Sequence, residues 1–451
     1  MFSKSNSLAR FDLFPKIVPV GKEILFTLRA YDVDRLRNAE SCTLNIWSIN
    51  DPIDGLDDQN ATFYDVKKEA LPAPQYGYTF RLALPREEEF LVYVVTKKNG
   101  KTSQDILPIY ALEPDLLCRT PLMGDMHAHS CYSDGEQGPA FIAAHYRQHG
   151  YDFLSITDHR RYQPSLMAIH AFEGLDIPFK LYPGEEVHPS GVRTHIVNFG
   201  GEKSVNAYAL AAKSVESWMD TEPTPEWSAE MEQIMASLTD LPDRVPAYEV
   251  AAAMITARII REGGGLAILA HPHWIWKVRN APEELTQYLL EHGIMDALEL
   301  IGGQDWGEQQ LQLAFYDHLR KKGLRVPVVG SSDEHTVLTL RRRRVQHFTE
   351  ERTVVLATEN TRDAIISAVK ADYSTTVGQY QDEYPRVRGG EYRIQKYVIF
   401  LLQNYFPLRD ELYISEGRLM HEYAAGTPGA KEKLLRTVAD NAYFEDKYFC
   451  R

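Results

Sequence analysis

The stretch "QYGYTFRLAL" puts Tyr76, Tyr78, Phe80, Leu82 and Leu84 on one side of an extended chain, with Gly77, Thr79, Arg81 and Ala83 on the other. A repeat of two is the signature of a half-buried strand. "EILFTLRAY" and "CTLNIWSI" behave similarly, and "FLVYVVTKKNGKTSQDILPIYAL" contains Asn99-Gly100, a pair that favours a type I′ hairpin turn. Short strands with turn signals between them predict a small immunoglobulin-like β-sandwich over residues 1–117.

From about 118 to 375 the pattern changes. Short apolar runs such as "YDFLSI", "LAILA", "DALELI" and "VPVVG" alternate with stretches of helical period. This is the βα alternation of an α/β fold with a parallel sheet or barrel. The runs meet polar residues of interest. "FLSIT" leads into Asp158-His159, "LAILA" into His271, and "VPVVGSS" into Asp333-Glu334-His335, while "DALEL" carries Glu299. In βα folds the active site gathers at the C-terminal ends of the strands. Residues 204–262 read as a mostly helical insertion, broken by prolines, and as a candidate lid. Residues 376–451 read as a helical C-terminal extension. There Ile394, Tyr397, Val398, Leu401 and Leu402 form one apolar face, expected to cap the barrel, and Pro407 is expected to end that helix.

Composition narrows the function classes. A net charge of -14 over 451 residues argues against a nucleic-acid-binding surface, which needs basic footprints. It leaves room for a small anionic substrate held by local cations. No apolar run approaches the roughly 18 residues of a membrane span. The N-terminal stretch lacks the apolar core of a signal peptide. Cys42, Cys118, Cys131 and Cys450 are scattered without CxxC spacing, as reduced thiols would be. The expectation is a cytoplasmic protein with no membrane partner.

The chemistry concentrates in a few segments. His127 and His129 stand in "GDMHAHS", Asp134 in "YSDG", His159 in "ITDH", Glu186 in "PGEEV", His195 in "THIVNFG", His271 in "LAHPH", and Asp333 and His335 in "GSSDEH". On a strand, residues i and i+2 share a face, so His127 and His129 can reach one ion, and Asp333 and His335 repeat that spacing. Each element alone is weak, because a lone histidine is more often structural. Their joint occurrence at strand ends is what carries weight. Imidazole with carboxylate suits zinc, manganese or iron rather than calcium. G-x-S-x-G and the P-loop pattern are absent, which argues against a serine nucleophile or nucleotide-driven chemistry.

"GDMHAHSCYSDG", "GYDFLSITDH", "YPGEEV", "HIVNFG", "AILAHP" and "VVGSSDEH", in this order, closely resemble the PHP (polymerase and histidinol phosphatase) superfamily of metal-dependent hydrolases. The wording is most similar to its carbaryl-hydrolase-like (CehA/McbA-type) branch. The resemblance implies a distorted (β/α)7 barrel holding two or three divalent ions (zinc, manganese or iron). It implies that His127, His129, Glu186 and Asp333 hold the first ion. Glu186 would bridge to a second with His195 and His271, and Asp134, His159 and His335 would hold a third. Some family members have histidine where this chain has Asp134. The glutamate is taken as Glu186 rather than Glu185 from the family's G-x-E spacing.

The implied reaction is hydrolysis of a phosphomonoester or phosphodiester on a small molecule by a metal-activated hydroxide, with Asp333 and Glu186 positioning the nucleophile. Arg160, Arg161, Arg193 and His273 are candidate substrate contacts, since guanidinium suits phosphate or carboxylate. The run "LRRRRV" at 340–345 could draw anions, and His188 is a pocket residue or an alternative ligand. Two other readings stay open. One is a carbamate, carboxylic ester or amide hydrolase, which an apolar pocket with Trp274 and Trp276 would favour. The other is a metal-stabilised scaffold whose β-sandwich binds a partner.

Overall fold

A computed structural model describes residues 10–51, 66–73, 75–214, 217–337, 351–379 and 383–451; the basic run 340–345 lies outside the described residues. The chain divides into two compact units. One comprises residues 1–119, 399–409 and 439–451, the other residues 120–398 and 410–438. No helix among the described residues is long and apolar enough to cross a membrane.

The first unit contains two four-stranded sheets. Phe11–Phe14, Glu23–Ala30, Gly77–Ala83 and Lys68–Ala70 form one. Ile17–Pro19, Lys101–Leu112, Glu89–Lys98 and Ser41–Ser48 form the other. The period-two residues Phe26, Leu28, Phe80, Leu82, Val92 and Val94 point into one shared core. Asn99 and Gly100 both take positive φ and join the strands Glu89–Lys98 and Lys101–Leu112 in a two-residue turn, as an Asn-Gly pair allows.

Lys16 is an exception in this unit. It is fully buried, and its ammonium has no hydrogen-bond partner among the described residues and lies 5.6 Å from the Tyr448 ring centroid. Burial lowers its pKa from 10.5 to about 8, against Asp12, which raises it, and with Lys447, which lowers it. Below pH 8 both folded and unfolded chains hold this proton, and the folded state bears the full cost of burying the charge. Between pH 8 and 10.5 the folded state releases the proton first, and the cost fades. Lys16→Met is therefore expected to stabilise the protein by up to about 3 kcal/mol at pH 7 and by far less near pH 11. Denaturant unfolding of both proteins at the two pH values checks this. An equal difference at both would show that Lys16 is not charged at pH 7.

The second unit is mixed α/β. Lys180–Tyr182, Phe153–Ser155, Thr120–Asp125, Glu351–Ala357, Ser374–Gly378 and Arg386–Arg388 make a six-stranded sheet. Gly184–Val187, Ile196–Phe199, Leu266–Leu269, Ala297–Ile301 and Val328–Gly330 make a five-stranded one. The run "LAIL" is apolar throughout because both its faces are covered. Leu266 and Ile268 join a core with Leu122, Phe153 and Val355 of the other sheet. Ala267 and Leu269 pack in a second core with Ile255 and Ile259 of the helix Ala247–Glu262 and Leu285 of the helix Glu283–Glu291.

No closed barrel of ladders is found among the described residues. Single parallel bridges, Ala128 with Glu334 and His159 with Glu186, join strand ends of the two sheets. The alternation is also not purely parallel, because Ile196–Phe199 runs antiparallel to both its neighbours. The stretch 204–262 contains a short hairpin, Leu210–Ala212 with Thr221–Pro223, between its helices. Its last helix, Ala247–Glu262, is a sheet-covering layer, with ten of its residues buried from Glu249 to Ile260. After two short strands come the helices Tyr392–Asn404, Phe406–Ala424 and Ala430–Tyr448. Pro407 does not end a helix. It is the second residue of one, where the missing N–H costs nothing.

Candidate metal centre

Past the strand Thr120–Asp125 the chain stays extended. Asp333 N–H donates to His127 O, His129 N–H to Glu334 O, and Thr157 N–H to Ala128 O. Held on both sides, residues 127–129 alternate, so both imidazoles point the same way. Their Nε2 atoms lie 3.1 Å apart. Asp333 Oδ1 is 3.2 Å from His127 Nε2 and 2.8 Å from His129 Nε2. Below them the buried Asp125 accepts from the backbone N–H groups of His127 and Ser332 and from the Tyr146 hydroxyl. Burial, offset in part by these bonds, raises its pKa to about 7.

Glu186, fully buried in Gly184–Val187, is the hub. Its Oε1 is 2.7 Å from His195 Nδ1 and 3.3 Å from His271 Nε2. Its Oε2 is 3.5 Å from His127 Nε2, 3.6 Å from His129 Nε2, and in contact with His159 Nδ1. His195 precedes its strand, yet it reaches this rim because that strand is antiparallel. The neighbouring Glu185 points the other way and accepts from Ser204 Oγ, Asn206 Nδ2 and the Val205 N–H. Asp134, more exposed, is 3.5 Å from His159 Nε2 and 3.3 Å from His335 Nε2.

Ligand-type atoms thus converge in four overlapping groups. They are His129, Asp134, His159 and His335; His159, Glu186, His188 and His195; His127, His129 and Asp333; and His127, His271 and Glu299. The nine residues singled out in the sequence all lie in these contacts. His188 enters one group with its Nε2 2.9 Å from His159 Nδ1. Glu299, noted in the sequence only as a strand residue, enters another. The backbone is strained here: His271, Asp333 and Arg160 have φ of 23°, 49° and 55°. Gly303 allows the approach of Asp333, since a Cβ there would lie 2.2 Å from Asp333 Oδ2.

The candidate substrate residues are less open. Arg160 donates to the carbonyl of His188 and to Thr221 Oγ1. Arg193 donates to the Arg279 carbonyl from the surface. Arg161 follows at the same turn, its N–H donating to Asp158 O. His273 is buried, 3.8 Å from Glu283 and beside Phe315. Aromatic residues stand nearer the imidazoles. Trp218 stacks on His159 at 4.9 Å, and Trp274 lies 6.1 Å from His195 and 5.8 Å from His271. Trp218 carries no sequence signal, being an isolated aromatic between Ser217 and Met219.

The electrostatics favour cations. Burial alone would neutralise Glu186, but His159, His195 and His127 hold its pKa well below the usual range. Asp333 and Asp134 are likewise held low against burial, by His127 and His129 for Asp333 and by His159 and His335 for Asp134. Burial lowers the pKa of His159, yet Glu186 and Asp134 raise it to about 10 overall. Burial and the adjacent His159 and His335 push His129 down to about 3. Glu186 Oε2 is buried and accepts no well-aligned hydrogen bond, although imidazole nitrogens surround it. A donor set of imidazole nitrogens and carboxylate oxygens converging on such an atom fits a transition-metal or zinc ion.

Glu299 supplies the orientation. Its Oε2 lies 2.9 Å from His127 Nδ1, and its Oε1 accepts the His271 N–H. A carboxylate there fixes the proton on Nδ1 and leaves the Nε2 lone pair facing Asp333 and Glu186. Glu299→Gln is expected to weaken metal binding about 10- to 100-fold without unfolding the protein. Competition with a chromophoric chelator measures it, and an unchanged affinity would reject the orienting role.

Neither protein-family models nor curated proteins match this chain. Solved structures show partial likeness. A two-domain protein of Bacteroides vulgatus containing a predicted PHP-like metal-dependent phosphoesterase is 18% identical, with a TM-score of 0.37. That match covers 58% of this chain and 66% of the other, so this chain spans just under two thirds of its length. A candidate metal-dependent phosphoesterase of Bifidobacterium adolescentis is 17% identical (TM-score 0.32), over 47% of this chain and 87% of that one. An amidohydrolase of Chromobacterium violaceum with bound sulfate and no metal is 18% identical (TM-score 0.29), with the same coverage.

Proposed function

We propose that this chain is a metal-dependent hydrolase, a phosphoesterase acting on a small anionic molecule, with the PHP type of centre that its motifs resemble. The observation that carries the reading is Glu186, a buried carboxylate facing five imidazoles, with Asp333 beside them. His127, His129, Glu186 and Asp333 would hold one divalent ion. Glu186, His195 and His271 would hold a second, and Asp134, His159 and His335 a third. Such ions lower the pKa of water and neutralise charge on phosphoryl oxygens. Asp333, the carboxylate of the first set that meets solvent, would accept the proton of the attacking water at Oδ1 or Oδ2. Glu186 orients His195 and His271 from below, and the buried imidazoles keep bulk water from the inner side.

A second reading, an aryl carbamate or ester hydrolase, is favoured by one observation. Trp274 lies against His195 and His271 and stacks at 6.5 Å on the exposed Trp276, which gives the rim an apolar, planar surface.

Purified protein is expected to carry divalent metal and to hydrolyse p-nitrophenyl phosphate or bis-p-nitrophenyl phosphate with manganese or zinc. A chelator is expected to abolish the activity, and re-addition of metal to restore it. Cleavage of aryl esters alone would transfer the assignment to the second reading. Metal-replete protein that cleaves none of these would sink both, as would activity that survives complete chelation.

A further inference from the structure

We infer that His188 is an ion ligand in its own right on the Glu186–His195 side of the centre, while His159 serves the Asp134–His335 side through Nε2. This rests on the metal-centre reading above and adds a tenth ligand to it.

The problem lies with His159. It belongs to two of the converging groups. Its Nδ1 faces Glu186 Oε2 and His188 Nε2, and its Nε2 faces Asp134 at 3.5 Å. A neutral imidazole has one lone pair and one N–H, so it can serve one ion only. Among the described residues, the one other imidazole on the side of Asp134 and His335 is that of His129, whose Nε2 is turned to Asp333 at 2.8 Å. His159 Nε2 is therefore the lone pair that completes that group, and the proton sits on Nδ1.

In the converging group of His159, Glu186, His188 and His195, the imidazole that remains beside His195 is then His188. The antiparallel register pairs Val187 with Ile196, so His188 and His195 are the next residues out on adjacent strands. Their rings stack at 4.2 Å with planes 23° apart. His188 is buried, and its own carbonyl is anchored by Arg160 Nε. Its Nε2 lies 2.9 Å from His159 Nδ1, and two nitrogens that close share a single hydrogen. Glu186 Oε2 lies against the same His159 Nδ1, so turning His188 away would leave that hydrogen facing a carboxylate. His188 Nε2 is thus free to turn its lone pair to an ion beside Glu186 and His195. Two histidines and one carboxylate form a donor set that zinc takes in hydrolytic sites.

The test is a zinc count by elemental mass spectrometry, with affinities from chelator competition. The proteins are wild type, His188→Ala, His188→Gln, Asp134→Asn and the His188→Ala/Asp134→Asn double variant, each checked for folding by circular dichroism. His188→Ala and Asp134→Asn are each expected to lose one equivalent, and the double variant to lose both, because they serve different ions. Glutamine is expected to behave like alanine at 188, since it keeps size and hydrogen bonding but no imidazole. The inference is overturned if the double variant loses no more than Asp134→Asn, or if glutamine restores the wild-type count. His188 would then merely support His159. A wild type that binds no zinc or other divalent ion would overturn the metal-centre reading itself, a result distinct from the other two.

Discussion

Glu186→Gln is expected to lower the hydrolytic rate by roughly 10³-fold or more, the scale of losing one preorganised charge in a site that excludes water. Glu186 is the only carboxylate among the described residues that contacts the ring nitrogens of all four of His127, His129, His195 and His271. Glutamine keeps the volume but removes the charge, and its amide N–H₂ turns donors toward groups that need an acceptor. Bound metal is expected to fall together with the rate, because the imidazoles lose the charge that gathers cations among them. Measuring both in one preparation separates a binding loss from a rate loss. Glu186→Gln protein with the wild-type metal content and rate would remove the central element of the proposed function.

The largest expected effect on stability is elsewhere in the second unit. Arg147 is fully buried in the helix Pro139–Gln148. Its Nη2 lies 2.5 Å from Glu416 Oε2, Asp152 is 3.4 Å away, and the Tyr413 ring centroid is 3.2 Å from its guanidinium carbon. A buried pair gains little over apolar packing, but losing one partner strands a charge. Glu416→Leu is therefore expected to cost about 3–5 kcal/mol. The thermal midpoint should fall by roughly 10 °C. Arg147→Met combined with Glu416→Leu should recover most of that loss. Thermal unfolding of the single and double variants decides it. A single variant within about 1 kcal/mol of wild type would show that water reaches this pair, as at surface ion pairs.

Several features could be read directly from the chain. Asn99-Gly100 forms its two-residue turn because positive φ at both positions is a local property of those residues. The period-two stretch around Phe80 becomes the strand Gly77–Ala83, since alternation follows from the pleat itself. The unbroken run "LAIL" is a strand covered on both faces. The sequence also reads as mostly helical over 204–262, where the helix Ala247–Glu262 lies. It could not say that this helix covers the sheet, because a helix's partner is chosen by distant residues.

At the centre the division is sharper. Residue type and strand-end position singled out His127, His129, Asp134, His159, Glu186, His195, His271, Asp333 and His335, because imidazole and carboxylate collecting at strand ends is visible without coordinates. Glu299 was equally visible but carried no motif, and only its 2.9 Å approach to His127 Nδ1 gives it a role. The sequence leaves His188 open between pocket residue and ligand, and the antiparallel register that sets it beside His195 is what makes it a candidate ligand. The kind of local element and the chemistry at its ends were legible along the chain, because backbone period and side-chain type set both over a few residues. Strand direction, and which lone pairs share a point in space, come from the folded chain as a whole. Those depend on contacts between segments as distant as His129 and Asp333, and no local pattern encodes them.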